Sequence, residues 1–495
     1  MKQLLEKFKQ RHWTSDVLII AVTAWVTLFA RLVIRRHNSF QTFDFDLGIH
    51  TQSIWLLAHG EWFNTICGLP VFGHHAAFMY YLFVPFVWIG GGANLWNTFQ
   101  VIAMGSAAIP VFYIALYQLK SRYAALVFSF AWLLLPTTGF LVWETLHPEA
   151  LATPFLLTGY YYAISHREPK AGRFSRNALA YMWLTAAVLC KEDIALAVLG
   201  IGVILMVKRQ WSFGAKIAGG AAIYFLVIGI WMVPTLAGEL STYGGLYGEL
   251  GTTPFNVAKN SILHPSQFFG RLSDNNAVGY VGQIASPLAF MSLLSPLTLI
   301  IAVPQYFINI LTTADFTWAM MYHYQVVPII GAIVAAIDGV AFIQRRSRVL
   351  ANLSVVAVLC ASSIAAVNWG NSPIGNKYTQ FSWGSNTPWI AGWTAALDRI
   401  GPDDIASVHY SLIPHATHRK VIYTFPNPWI NSNFNTPEKW VDPSLIKWIV
   451  VPETQMSPEV MTKLKSLISS GEFGDAETVN GVTSYRRLRP ATPTK

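Results

Sequence analysis

The chain has 495 residues, of which 53% are hydrophobic and only 12% are charged, and its mean hydropathy is +0.40. Soluble domains carry about 25% charged residues, so this composition excludes a soluble multidomain protein and indicates a polytopic membrane protein. The net charge of +9 comes from basic residues spread over short loops, which is typical of a topology signal and argues against a nucleic-acid partner. The three cysteines, Cys67, Cys190 and Cys360, suggest no disulfide framework.

The first apolar run, at about 17–36, follows a basic N-terminal stretch without a small-residue cleavage site. We therefore expect an uncleaved first helix with its N-terminus in the cytoplasm. Further apolar runs lie near 95–118, 123–141, 150–165, 178–190, 194–207, 214–236, 278–294, 296–312, 325–343 and 351–368. Basic residues recur between them, at Lys120 and Arg122, at 167–176, at Lys208 and Arg209, and at Arg345, Arg346 and Arg348.

One more apolar run, at 76–90, decides the topology. All the basic turns reach the cytoplasmic side only if this run is a re-entrant or surface segment; if it spans, every later basic turn moves outside. The positive-inside rule therefore predicts an α-helical polytopic fold of about 11 spans over residues 1–368 in the plasma membrane. The first external loop is expected at about 37–94.

Four small clusters of ionisable residues interrupt the apolar chain, and this topology places all four on the external side. Ionisable groups at a membrane boundary are costly and usually mark a site, so the shared side predicts a shared external cavity. The clusters are Asp44 and Asp46, then Glu144, His147 and Glu149, then Lys191, Glu192 and Asp193, and finally His323 with Tyr324.

Asp44 and Asp46 stand just before a segment with helical spacing of apolar residues. The pair has three interpretations: ligands for Mg²⁺ or Mn²⁺, a general base acting on an acceptor hydroxyl, or a helix N-cap. His50 lies four residues after Asp46 on the same helix face, where it could join a metal site or only hydrogen-bond the carboxylate. No cofactor is certain from the sequence, and the ligands of any metal would be Asp44, Asp46 and His50.

The cluster around Pro148 has a structural and a functional interpretation. Pro148 suits the first turn of a helix, and Glu149 would then lie near its positive end. This explains Glu149 but not the preceding Glu144 and His147, which we predict to bind substrate together with it.

The remaining clusters contain candidate phosphate-binding residues. Lys191 beside Glu192 could attract and position a phosphate-bearing ligand, although a tight turn of self-paired charges accounts for the same residues. His323 with Tyr324 could hold a phosphate oxygen or only open a helix. His74 could line the same site or be part of an interfacial histidine pair.

The tail from residue 369 to 495 is rich in Asn, Pro, Trp and charge and contains no further spanning run. Residues 405–425 read as a strand, a short helix and a strand, and residues 445–453 read as another strand. A helix with a serine start and a glycine stop follows, and then a hairpin turning on Asn480-Gly481. We predict a small extracytoplasmic α/β domain.

Four motifs, in this order along the chain, resemble those of a family of predicted multi-pass membrane proteins, domain of unknown function 2079. The motifs are Asp46 to Gly60, His147 to Ala150, Lys191 to Asp193 and His323-Tyr324. The resemblance extends to the stretch from Pro414 to Pro426. This family resembles, distantly, the GT-C glycosyltransferases, which take sugars from polyprenyl-phosphate carriers on the outer membrane face. The resemblance implies that Asp46 matches their essential acidic residue, with Asp44 as second candidate, although Asp-Leu replaces the Asp-Glu pair of several GT-C groups.

The resemblance implies transfer of a sugar from a polyprenyl-phosphate carrier to a glycan, lipid or protein acceptor on the extracytoplasmic face. Lys191 and His323 would hold the phosphate and Asp46 would deprotonate the acceptor hydroxyl. The main alternative is a transporter or lipid-handling protein with a charged external vestibule. The absence of clear paired halves, and the charges at one boundary rather than mid-bilayer, favour the enzyme.

Overall fold

The computed structural model describes residues 12–42, 45–167, 172–238, 244–431 and 441–489. Within these residues, five helical segments are long and apolar enough to span a membrane, judged by length and composition. A sixth is obtained if two helices that meet at a 44° bend, Arg122–Leu134 and Pro136–Trp143, form one broken span. The five are Trp13–Asn38, Ala93–Leu119, Trp211–Ala237, His323–Gln344 and Arg348–Trp369.

The described residues of the first half of the chain are mainly helical. In chain order the helices are α1 (Trp13–Asn38), α2 (Phe45–Ala58), α3 (Val71–His74), α4 (Val84–Val87), α5 (Ala93–Ser106), α6 (Ala108–Leu119), α7 (Arg122–Leu134), α8 (Pro136–Trp143), α9 (Pro148–Ile164), α10 (Arg176–Val188), α11 (Ile194–Val207), α12 (Trp211–Tyr224) and α13 (Val233–Ala237). A two-residue hairpin in the first loop pairs β1 (Phe63–Asn64) with β2 (Leu69–Pro70).

The second half begins with short helices, continues with two long ones and ends in a mixed segment. The helices are α14 (Pro254–Leu263), α15 (Pro265–Asp274), α16 (Ala277–Ala285), α17 (Pro296–Leu299), α18 (Val303–Ile310), α19 (Val326–Gln344), α20 (Arg348–Trp369), α21 (Trp389–Arg399) and α22 (Pro458–Ser469). The strands are β3 (Ala406–Val408), β4 (Ile422–Thr424), β5 (Trp448–Val451), β6 (Phe473–Val479) and β7 (Val482–Arg487).

Serine side chains start the helices that leave three of the basic turns. The hydroxyl oxygens of Ser121, Ser175 and Ser347 accept hydrogen bonds from the backbone N–H groups of the first turns of α7, α10 and α20. Such caps satisfy N–H groups that have no partner within the helix. The basic turns are thus defined helix boundaries.

The runs 278–294 and 296–312 do not form the continuous helices expected of spans. The chain breaks after α16 at Pro287, where Ala289 and Phe290 adopt positive φ values of 51° and 60°. Pro296 then opens the four-residue α17, and α18 covers only eight residues. Proline supplies no N–H to a helix, so each one favours a new start rather than continuation. The predicted count of about 11 spans is not confirmed.

The segment 76–90 contains no helix of spanning length. A five-residue 3-10 helix, Phe78–Leu82, is followed by the four-residue α4. Its entry is tied to the neighbouring helices, since the N–H of Met79 donates to the carbonyl of Leu189 at 3.0 Å. Irregular backbone at a membrane boundary is tolerated where protein supplies such hydrogen bonds.

The tail contains the strands and the helix that its sequence predicts. Five strands form one sheet in the order β4-β3-β5-β7-β6, with β4, β3 and β5 parallel and β6 and β7 antiparallel. The last two strands turn on Asn480 and Gly481, both with positive φ, as the Asn-Gly pair predicts. Ser457 caps the start of α22, and Gly471, which has a positive φ, follows its end. Helix α21 was not predicted.

The sheet packs directly on the first loop. One hydrophobic cluster contains Ile49 of α2 and Ile66 of the hairpin together with Leu412 and Ile413 from the segment between β3 and β4. The backbone joins as well, because the hydroxyl of Thr65 donates to the Ile422 carbonyl at 2.8 Å and accepts from the Ile422 N–H at 3.0 Å. The tail therefore supports the helix on which Asp46 lies.

Candidate functional site

A cavity of about 760 Å³ opens where α1 ends and where α2, α9 and α19 begin. Its wall brings together residues that are far apart in the sequence, from the first loop, the α8–α9 turn and the segment before α19. The ionisable and tyrosyl residues among them are Arg36, Asp46, His50, His74, His75, Glu144, His147, Glu149, Tyr322, His323 and Tyr324.

Asp46 lies in the first turn of α2, and its side chain is 35% exposed towards the cavity. A carboxylate in this position is stabilised by the positive end of the helix dipole. Its Oδ2 is 3.6 Å from Nε2 of His147. Burial acts to raise the pKa of Asp46, but the hydrogen bond and positive charge of His147 outweigh it and lower that pKa below its usual range. Asp46 is therefore ionised at neutral pH. Asp44 lies outside the described residues.

The α8–α9 turn is held in place by two buried amides of α5. The N–H of Leu146 donates to Oδ1 of Asn97 at 3.0 Å, and the N–H of His147 donates to Oε1 of Gln100 at 2.6 Å. Both amide residues are 1% exposed. Sequence analysis did not identify them, although two amide residues within an otherwise apolar run were a signal. They fix the backbone of the residues that form the site.

Glu144, His147 and His323 form a compact group at the centre of the wall. Nδ1 of His323 is 2.7 Å from Oε1 of Glu144, and the two imidazole rings stack with centroids 4.0 Å apart and planes 15° apart. One ligand atom from each of the three residues lies within 4.8 Å of the others. Oε2 of Glu144 is buried and accepts no hydrogen bond from the described part of the chain. A bound water molecule or ion would satisfy this oxygen.

Lys191 lies behind the wall of the cavity rather than in it. Its Nζ is 2.8 Å from Oε1 of Glu149 and 3.5 Å from Oδ2 of Asp193. Glu149 connects this pair to the central group, because its Oε1 is also 3.7 Å from Nε2 of His323. A continuous series of polar contacts thus runs from Asp46 to Lys191.

Glu192 is also removed from the wall and is paired with a histidine of the first loop. Its Oε1 is 2.9 Å from Nδ1 of His75, and its Oε2 accepts the N–H of Ala76 at 2.9 Å. Burial acts to raise the pKa of Glu192, but the positive charge of His75 and the hydrogen bond from that ring lower it to about 2. Glu192 therefore anchors the start of the segment 76–90.

His50 and His74 line the cavity as uncharged rings. Burial and the positive charge of His147 lower the pKa of His50, and burial with the charge of His75 lowers the pKa of His74 to about 3. Nδ1 of His50 is hydrogen-bonded to the hydroxyl of Tyr80. His50 is consequently not part of the compact group that Glu144, His147 and His323 form.

Arg36 is a site residue that sequence analysis missed. Its guanidinium lies 4.0 Å from the centroid of the Trp143 ring and donates to the carbonyl of Thr42 at 3.3 Å. It is 3% exposed and lines the cavity. Arg35 and Arg36 end α1 on the side predicted to be external, where the positive-inside rule expects few basic residues. Two arginines on the predicted external side were therefore the feature of the sequence that pointed to Arg36.

Most of the predicted site residues thus meet at one cavity, and two stand directly behind it. Lys191 and Glu192 contact the wall through Glu149 and His75. The residues that line the wall itself are Asp46, His50, His74, Glu144, His147, Glu149, His323 and Tyr324.

The profile of one protein family, described as "Predicted membrane protein (DUF2079)", matches residues 36–483, which is most of the chain. The chain belongs to the DUF2079 family. Residues 36–483 include every cluster of the site and nearly all of the tail. The resemblance expected from the ordered motifs is confirmed. No curated protein matches the sequence.

The fold is similar to that of solved membrane enzymes. ArnT from Cupriavidus metallidurans, solved bound to undecaprenyl phosphate, superimposes with a TM-score of 0.51 over 95% of this chain and 100% of that one, at 13% identity. The archaeal oligosaccharyltransferase AglB from Archaeoglobus fulgidus, solved with an inhibitory peptide and a dolichol-phosphate, covers 97% of this chain and 75% of that one, at 14% identity and a TM-score of 0.43. The similarity to ArnT shows a GT-C-like fold.

Proposed function

We propose that the protein is a membrane glycosyltransferase that moves a sugar from a polyprenyl-phosphate carrier to an acceptor hydroxyl. The observation that carries the proposal is the position of Asp46, ionised and partly exposed in a cavity whose wall also holds Glu144, His147, Glu149 and His323. A polyprenyl-phosphate donor is supported by the GT-C-like fold shared with ArnT, which was solved with undecaprenyl phosphate. We place the reaction on the extracytoplasmic face because of the predicted topology.

The proposed reaction is a single displacement at the anomeric carbon. The acceptor oxygen forms a bond to that carbon while the bond from the carbon to the phosphate oxygen breaks, and polyprenyl phosphate leaves with the bonding electrons. The acceptor proton passes to the carboxylate of Asp46, which orients the hydroxyl. The ring of His147 lies 3.6 Å from that carboxylate.

The leaving phosphate requires positive charge or hydrogen-bond donors in the cavity. We assign Arg36 as the main cation because its buried side chain lines the wall. His323, a candidate phosphate ligand from the sequence, lines the same wall. Lys191 acts through Glu149, since its ammonium already contacts that carboxylate at 2.8 Å.

We further propose that Glu144, His147 and His323 hold a divalent metal ion. Their ligand atoms are close enough, and the buried Oε2 of Glu144 has no hydrogen-bond partner among the described residues. Two imidazoles and a carboxylate suit Mn²⁺ or Zn²⁺ better than Mg²⁺. When bound, such an ion would neutralise charge on the phosphate. Asp46 stands next to this group, whereas His50 is engaged with Tyr80.

The central test is Asp46→Asn in purified, reconstituted protein. The probes are a panel of undecaprenyl-phosphate monosaccharides, with a membrane extract as acceptor, and the readout is release of undecaprenyl phosphate. Since removal of a general base costs roughly 10²–10⁴-fold, we expect at least a hundredfold loss of turnover. The matched control is Asp398→Asn, an exposed aspartate of α21 outside the cavity.

Two results would count against the proposal. Full turnover by Asp46→Asn would remove Asp46 from the reaction. Uptake of a donor into vesicles without release of undecaprenyl phosphate by the wild type would instead favour the transporter or lipid-handling alternative.

A further inference from the structure

A second large cavity lies at the opposite end of the helical domain. Its volume is about 710 Å³, and it is formed by the ends of α6, α11 and α19, the start of α20 and the turn before α17. Helix α19 runs from the first cavity to this one over 19 residues, which corresponds to about 28 Å. Its far end is the end predicted to be cytoplasmic, because the basic turns meet there.

The charges of this cavity are predominantly positive. Among the described residues that line it, four are cations, contributed by three separate turns of the chain: Lys120, Lys208, Arg345 and Arg348. Their like charges repel, so this concave surface attracts anions.

Among the described residues that line the cavity, one carboxylate, that of Asp338, faces these four cations. It is held by hydrogen bonds, at 2.7 Å from Nε2 of Gln118 to Oδ1 and at 2.6 Å from the hydroxyl of Thr298 to Oδ2. Nζ of Lys208 is 3.8 Å from the same Oδ2. These contacts hold Asp338 at the base of the cavity. The side chain of Lys208 remains 37% exposed. The net charge stays positive.

The rim of the cavity is apolar where it meets the predicted lipid phase. Leu294 and Phe342 line it and are 43% and 38% exposed, and Val349 beside Arg348 is 69% exposed. A soluble protein would rarely present such side chains next to a basic pocket, but a bilayer covers them at no cost. A ligand suited to this place has an anionic head and apolar chains.

We propose that this cavity binds the phosphate headgroup of an anionic membrane lipid, whose chains lie along α20. Arginine and lysine side chains form charge-assisted hydrogen bonds to phosphate oxygens, and basic pockets between membrane helices on the cytoplasmic side suit such headgroups. This lipid site is separate from the proposed glycosyltransferase cavity and does not depend on the reaction proposed there.

The test is native mass spectrometry of the purified full chain in detergent, with either phosphatidylglycerol or phosphatidylcholine added. We expect one phosphatidylglycerol to bind in preference to phosphatidylcholine. The triple variant Lys208→Gln/Arg345→Gln/Arg348→Gln should bind it about a hundredfold more weakly, since each basic residue near a membrane surface contributes about fivefold. Arg345→Lys/Arg348→Lys keeps the charge and should retain most of the binding.

A matched control removes the same charge elsewhere. Arg122→Gln/Arg173→Gln/Lys216→Gln alters three exposed cations that do not line the cavity, and it should bind phosphatidylglycerol like the wild type. Asp338→Asn preserves the shape of the side chain and removes its negative charge, so it should bind phosphatidylglycerol more tightly. A variant that was only destabilised would not gain affinity.

Three outcomes would overturn the proposal. The first is equal binding of both lipids by the wild type, and the second is an equal loss of binding in the triple variant and its control. The third is displacement of the lipid by millimolar inorganic phosphate, with that phosphate retained by the lipid-free protein. The last would identify a site for free phosphate instead.

Discussion

At the scale of single residues, the site is organised by contacts between ionisable side chains that are far apart in sequence. Glu144 and His323 are 179 positions apart and meet at 2.7 Å, and Lys191 meets Glu149 at 2.8 Å across 42 positions. Buried charges of this kind are stable only when each has a partner. The cluster is therefore stable as a set, and a change in one member alters its neighbours.

The first prediction concerns metal binding by the compact group. Wild-type protein dialysed against Mn²⁺ or Zn²⁺ should retain about one equivalent, measured by inductively coupled plasma mass spectrometry. His147→Ala and His323→Ala should each weaken retention by at least about tenfold, because each removes one of three ligands. His264→Ala, an exposed histidine at the end of α14, is the control and should retain the metal. Equal metal content in all four proteins would exclude this site.

At the scale of elements, helix α2 is held from behind by the tail. Gln52 of α2 donates from Nε2 to the carbonyl of Arg419 at 3.2 Å, and Ile49 belongs to the same hydrophobic cluster as Ile413. The α2 turn that bears Asp46 is thus pressed between the cavity and the sheet segment. We infer that the tail positions Asp46 as well as providing a surface.

A close approach in this contact, at Gly48, leads to a second prediction. A Cβ at this position would lie 2.2 Å from Cγ2 of Ile413, so Gly48→Ala forces the two segments apart. Overpacking of this kind costs about 1–3 kcal/mol, and we expect a lower apparent Tm in scanning fluorimetry together with reduced turnover. Gly219→Ala in α12, where a Cβ meets nothing within 4 Å, should not lower Tm, because alanine is the better helix former.

The double variant Gly48→Ala/Ile413→Ala makes this prediction specific. Ile413→Ala removes the methyl group that the introduced alanine side chain would meet, so the double variant should be less destabilised than the sum of the two single variants. Simple additivity would mean that the loss comes from the helix itself rather than from its contact with the tail.

At the scale of the whole molecule, the two polar cavities define the two ends of the helical domain. Among the described residues, carboxylates, histidines and Arg36 line one cavity, and four cations and one carboxylate line the other. This separation agrees with the positive-inside rule, which predicts that the basic end is cytoplasmic and that the tail is outside. The membrane embedding itself follows from the DUF2079 membership and the apolar helices.

The orientation is the third prediction, and cysteine labelling checks it. In a Cys360→Ser background, which leaves only the buried Cys67 and Cys190, Glu459→Cys should react with a membrane-impermeant maleimide in intact cells. Arg346→Cys, at the basic end, should react only after permeabilisation. Both positions are exposed, so both should react in detergent. The opposite pattern in intact cells would invert the topology and move the proposed reaction to the cytoplasm.

The amino-acid sequence was sufficient to predict the membrane-protein class, the ionisable clusters and the local elements of the tail. Composition excludes a soluble protein, apolar runs define the long helices, and Asn480-Gly481 defines its hairpin because these properties depend only on neighbouring residues. The prediction that the ionisable clusters share one side also needed only the alternation of spans and basic turns.

Tertiary structure alone decided which groups touch. Arg36 enters the site while Lys191 stands behind it, and His50 pairs with Tyr80. These outcomes depend on packing between distant segments, whose free energies exceed the local preferences that a sequence pattern records. The same packing places the tail sheet against α2, so residues near the end of the chain position a carboxylate near its beginning.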